Sequence, residues 1–150
     1  MQPDRRLAAA QWRNAAGEDL RVSQLLATES PSIAAFHAQQ AAEKALKAAA
    51  LALADDLPRT HILNDLADEI AREGIAVSEA LRHHLRVLER LYAPTRYPDA
   101  LGGIDPNRVF VSADAVDAAN RALAVLAFVD DLIARLISEN RLPKGPSTSD

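Results

Sequence analysis

At 150 residues, with 17 Lys plus Arg against 21 Asp plus Glu, the chain is mildly acidic and long enough to bury a core without staples. The absence of Cys excludes disulfides, thiolate metal sites and cysteine nucleophiles. No segment approaches the roughly 18 apolar residues of a membrane span, Met1 to Arg13 carries no apolar stretch of signal-peptide length, and net charge gives no broad argument for nucleic-acid binding; a soluble cytoplasmic protein is expected.

The prolines fall where helices would start or stop, and every segment between them has helical rather than alternating periodicity. The spacing predicts helices over about 4–27, 31–54, 60–73, 76–93 and 112–140. In the first, Ala8, Trp12, Ala15, Ala16, Leu20, Val22 and Leu26 share a broad face. Asp19 falls within that arc. An unpaired buried carboxylate is expensive, so a cationic partner is expected, either Lys44 or an arginine of the fourth helix. Ser30-Pro31 supplies an N-cap candidate with proline at the first helical position.

The second segment divides sharply on a helical wheel. Ala34, Ala35, Ala38, Ala41, Ala42, Ala45, Leu46, Ala48, Ala49 and Ala50 fill an apolar arc of about 200°, which marks the central helix of a bundle. The remaining sector mixes Ile33, Phe36, His37, Gln40, Glu43, Lys44, Lys47 and Leu51. As a solvated face it would carry Glu43 and Lys47 as an i, i+4 pair. Three large apolar groups on so narrow a stripe favour a contact surface instead. On that reading Ile33, Phe36 and Leu51 meet a second subunit, and Gln40, Glu43, Lys44 and Lys47 touch a ligand or partner.

The third helix places Leu63, Leu66, Ala67 and Ile70 on one face, and the fourth Leu81, Leu85, Leu88 and Tyr92. Arg82, Arg86 and Arg90 form a basic stripe along the fourth. It reads either as a phosphate contact or as a solvated face balanced by Glu79 and Glu89, and the second is favoured. His84 points to the apolar side of the same helix. A connection from Pro94 to Val111 contains Gly102-Gly103 and exceeds a tight helix link. The last helix starts at the cap candidate Ser112 and repeats Ala119, Leu123, Leu126, Val129, Ile133 and Leu136. The expectation is therefore an all-α, antiparallel up-and-down bundle of four to five helices, one domain over 1–142 with a disordered tail over 143–150.

Chemistry-bearing motifs are scarce. The histidines His37, His61, His83 and His84 lack the i+4 partners of a helical metal site, so no metal is expected. Phosphate-cradling glycine loops and nucleophile elbows are absent as well, so no cofactor is expected and no catalytic residue is assigned.

Several pieces together resemble the HEPN (higher eukaryotes and prokaryotes nucleotide-binding) family. They are Trp12 with Asp19-Leu20, the run from Phe36 to Ala48, Arg59-Thr60-His61-Ile62-Leu63, and Tyr92 with Arg96-Tyr97-Pro98-Asp99, in the family's order over about residues 10–135. The resemblance implies a helical bundle, usually a homodimer. It also implies a minimal nucleotidyltransferase as partner in a toxin–antitoxin-like module, and a nucleotide or RNA ligand met by Arg96 and Tyr97 as well as by the second helix. Many members are metal-independent ribonucleases using an Arg, four to six intervening residues and a His. Here Arg96 is followed at the required distance by Leu101, Gly102 and Gly103, so that motif is incomplete. The reading is a subunit binding a nucleotide, a nucleotidyltransferase or both. The alternatives are a ribonuclease toxin in which His61 or His84 serves instead, and a purely structural helical dimer.

Overall fold

The structure is a computed structural model that describes residues 4–54, 56–95 and 97–145. Its helices are α1 (Arg5–Leu26), α2 (Pro31–Leu53), α3 (Leu63–Arg72), α4 (Glu79–Glu89) and α5 (Ser112–Ser138). Among the described residues there is no strand, and the architecture is the expected all-α antiparallel bundle.

Helix α2 lies at the centre, packed along much of its length on α1 and α5. Its alanine arc explains the position: Ala34, Ala35, Ala38, Ala41, Ala42, Ala45, Ala48 and Ala49 have no solvent exposure. Small side chains let neighbouring backbones come close, and alanine loses no rotamer entropy on burial. Bulk comes from the neighbours. Leu63, Leu66 and Ile70 of α3, Leu85 and Leu88 of α4, and Val125, Leu126, Val129 and Leu136 of α5 are fully buried with Leu46.

Helix ends differ from the sequence expectation where their caps come from elsewhere. Ser30 makes no side-chain cap bond, although its carbonyl accepts from the Ala34 amide at 2.9 Å and Pro31 opens α2 as expected. Helix α3 begins at Leu63 rather than 60, because Arg59 to Ile62 stay non-helical. Its Asn64 amide donates to Glu89 Oε1 of α4 at 2.6 Å. Ser112 is the first residue of α5 and not its cap. Val111 takes the cap position, its amide donating to Asp114 Oδ2 at 2.8 Å. At the far end α5 stops at Ser138, not 140. Asn140 adopts φ 55°, and the amides of Arg141 and Asn140 donate to the carbonyls of Leu136 (2.8 Å) and Ile137 (3.1 Å). This paired turn satisfies two terminal carbonyls and swings Leu142 back into the core.

The connection from 94 to 111 contains two short 3-10 turns, Pro98–Leu101 and Pro106–Arg108. Gly102 and Gly103 both sit at positive φ, 66° and 86°, which fits their use in the reversal between the turns. Ser32 Oγ donates to Asn107 Oδ1 at 2.6 Å, pinning the connection to the start of α2. The 143–150 tail expectation falls partly on residues 146–150, which lie outside the described residues.

Candidate functional site

The mixed sector of α2 meets α1 on one side and the approach to α3 and the end of α4 on the other. The two sides carry separate charge clusters. On the α1 side, buried Asp19 meets two α2 residues: His37 Nδ1 lies 2.8 Å from its Oδ1, and Lys44 Nζ 2.6 Å from its Oδ2. The lysine contact is an ion pair rather than an aligned hydrogen bond. The carboxylate thus has the cationic partner its burial demands, and of the two candidates it is Lys44. His37 as a second partner escaped the sequence reading, although His37 and Lys44 are i, i+7 on one edge of the wheel.

On the other side Glu43 is only 4% exposed. Its Oε2 lies 3.5 Å from Lys47 Nζ, itself 6% exposed, and its Oε1 lies 3.2 Å from His61 Nδ1. The Lys47 ammonium also sits 5.7 Å from the centre of the Trp12 ring, a cation–π arrangement that partly replaces lost hydration. His61 stacks on Tyr92 with centroids 6.3 Å apart and planes 17° from parallel. Tyr92 in turn lies 6.5 Å from Phe36. Glu43 and Lys47 are therefore interior to the chain, covered by the groups they hold.

The other residues singled out in the sequence fall at different depths. Lys44 and Gln40 are half-buried, with Gln40 Nε2 donating to Gln39 Oε1 at 2.6 Å. Gln39 is fully buried, and its amide nitrogen has no hydrogen-bond partner. The wheel could have flagged it as a polar residue beside the alanine arc. Of the apolar trio, Ile33 is exposed while Phe36 and Leu51 are half-buried. Tyr97 is exposed; Arg96 lies outside the described residues.

Beside the α1 cluster is an open depression of about 310 Å³ lined by Gln11, Trp12, Ala15 and Lys44. It sets a flat aromatic ring, an amide and an ammonium around one concavity. Sequence reasoning misses Gln11 and Trp12 as groups lining this depression, because the wheel puts Trp12 on the packing face of α1.

The basic stripe of α4 is largely spent on structure. Arg82 pairs with Asp68 at 2.8 Å and donates to the Asn64 carbonyl at 3.0 Å. Arg86 pairs with Glu79 and holds that carboxyl below its usual range, mainly by their hydrogen bond. His84 Nδ1 is 3.2 Å from Arg121 Nη1. Burial, then the Arg121 charge, lower its pKa, so the ring accepts from the guanidinium in its neutral form.

A five-helix bundle whose central alanine-rich helix carries this polar face defines a class of all-α domain, and the sequence places it more narrowly. The HEPN domain family matches residues 9–132, and the chain belongs to that family. Among solved structures it is similar to TT1696 from Thermus thermophilus. The two share 35% identity with a TM-score of 0.78 over 83% of this chain and 97% of that one. It is also similar to ST0689, an archaeal HEPN homologue, at 25% identity and a TM-score of 0.68 over the same shares. A comparison with curated proteins gave no match.

Proposed function

We propose that the chain is a non-catalytic HEPN subunit that binds a nucleotide in the depression over Trp12 and Lys44. It would act with a minimal nucleotidyltransferase in a two-component, toxin–antitoxin-like module of the cytoplasm. The observation that carries this reading is the pairing of an indole face with an ammonium in one concavity, Gln11 and Ala15 completing the wall. A base stacks on an indole by its π face, and a phosphate finds its counter-charge on a lysine. Asp19 holds the Lys44 ammonium in place, so less side-chain entropy is lost on binding. Gln40 stands one turn before Lys44 on the same face of α2. Glu43 and Lys47 act from below, as supports of Trp12 and His61, exposed Tyr97 extends the surface beyond α4, and Arg96 would add an anion contact.

Trp12 is the sole tryptophan, so tryptophan emission excited beyond tyrosine absorption reports this site alone. Titration with ATP and a panel of nucleotides is expected to change that emission saturably, and co-expression is expected to recover the gene-neighbour nucleotidyltransferase with the chain. No response to any nucleotide together with no recovered partner would overturn the reading.

A second reading has one observation in its favour. His61 on Glu43 is an oriented, exposed imidazole, the kind of group a displaced ribonuclease site requires. Induced expression would then arrest growth and cleave RNA, and His61→Ala would abolish both. Harmless expression with intact RNA disposes of it.

A further inference from the structure

We infer that the groove between α1 and α5 is a second ligand site, which takes a medium-chain aliphatic carboxylate with its chain along the groove and its head on Arg6. The groove encloses about 290 Å³, near the lower end of small-molecule sites. It lies on a different face of α1 from the Trp12 depression. Arg6, Ala10, Arg13 and Asn14 line it at i, i+4, i+7 and i+8, whereas Gln11, Trp12 and Ala15 line the depression. The inference therefore stands apart from the nucleotide reading.

The floor is hydrocarbon. Ile133 and Ile137 of α5 stand one turn apart, half-buried and packed on the core, with exposed Ala134 between them and Ala10 opposite on α1. The two alanines leave open a hollow that larger side chains would fill. From Asp130 to Ile137 the lining runs about 10 Å at 1.5 Å per residue, a length that an extended eight-carbon chain spans.

Two guanidinium groups flank this floor in different states. Arg13 is spent: its Nε and Nη2 donate to the two oxygens of Asp130 at 2.6 and 2.9 Å, a fork that neutralises both partners. Arg6 stands two turns away along α1, about 10 Å from that pair. It is half-buried and makes no hydrogen bond or ion pair among the described residues. The lining thus carries two cations against one anion, in a chain whose net charge is -4. A free guanidinium at the end of an apolar floor fits an anionic head on an apolar tail, and its planar fork matches a carboxylate. An ammonium head would be repelled there, and a neutral head would leave the charge of Arg6 unmatched.

The experiment titrates the wild type, Arg6→Gln and Ala134→Phe with octanoate, octanol and octylammonium, each below its micelle-forming concentration, and follows the methyl NMR signals of Ile133 and Ile137. The wild type is expected to bind octanoate saturably with a Kd below about 1 mM, and about fivefold more tightly than octanol. Octanol is the more hydrophobic of the two, so burial of the chain alone predicts the reverse order. Arg6→Gln is expected to lose the preference. Ala134→Phe, at an exposed position compatible with folding, is expected to abolish binding of both. No saturable binding, octanol or octylammonium binding as tightly as octanoate, or a preference that survives in Arg6→Gln would overturn the inference, as would octanoate binding left intact by Ala134→Phe. A groove that instead seats a second copy of the chain would show a changed sedimentation of ligand-free Ala134→Phe, and that result too would overturn it.

Discussion

Lys47 is a long cationic side chain with almost no exposure, paired with Glu43 and set over the face of Trp12. Removing one member of a buried pair strands the other, and that penalty exceeds what the pair itself contributes. Lys47→Met is therefore expected to destabilise the fold by about 3 kcal/mol, read from the urea midpoint. A loss within a few tenths of a kcal/mol would mean that Glu43 is adequately served by His61 alone. His84 gives a pH-dependent counterpart. Its folded pKa lies below the ordinary value of 6.5, through burial and then the charges of Arg121 and His83, with Asp117 opposing. The unfolded chain binds the proton more readily, so this contribution to stability is complete above 6.5 and is lost as pH falls through the folded pKa. His84→Gln should flatten the fall in melting temperature between about pH 7 and about pH 5. An unchanged slope would place the acid sensitivity elsewhere.

At the scale of elements, the clearest stop signal is Asn140 in the left-handed region after α5. Asn140→Ala should cost about 1 kcal/mol, since alanine has no side-chain compensation for that conformation, and Asn140→Gly should cost little or nothing. Equal melting temperatures for the two variants would rule out backbone strain as the reason. The long helices were legible because proline punctuation and the alanine–leucine pattern are local signals. The starts of α3 and α5 were less so. Glu89 reaches the α3 start from another helix, and Asp114 caps α5 from within its first turn in place of Ser112. The site was legible to a similar depth. Asp19 had to find a cation, and Lys44 was on the right edge of α2. The burial of Glu43 and Lys47 was hidden, because a wheel treats the helix as an isolated cylinder and knows nothing of Trp12, His61 and Tyr92 arriving from three other segments.

For the whole molecule, the proposed homodimer through Ile33, Phe36 and Leu51 makes a direct demand on the outer face of α2. Ile33 is the exposed member of the trio, and its removal disturbs the least internal packing. Ile33→Asp is expected to shift the chain from dimer to monomer in analytical ultracentrifugation with its helical content retained. A wild type that sediments as a monomer, or a variant that stays dimeric, would move the subunit contact off this stripe. Binding and assembly would then be separable, since Trp12 and Lys44 lie toward α1 while Ile33 lies near the α1–α2 turn.

The alanine arc of α2 has a consequence for motion. A helix enclosed along its length by close-packed neighbours has few partial openings available to it, so its amide protons exchange with solvent only when larger units unfold. The amides from Ala41 to Ala49 should be the slowest to exchange in deuterium, and those between Pro94 and Val111 among the fastest. Lys44 and Glu43 would then be mounted on the least mobile stretch of the chain, a fixed anvil beneath the surface they carry.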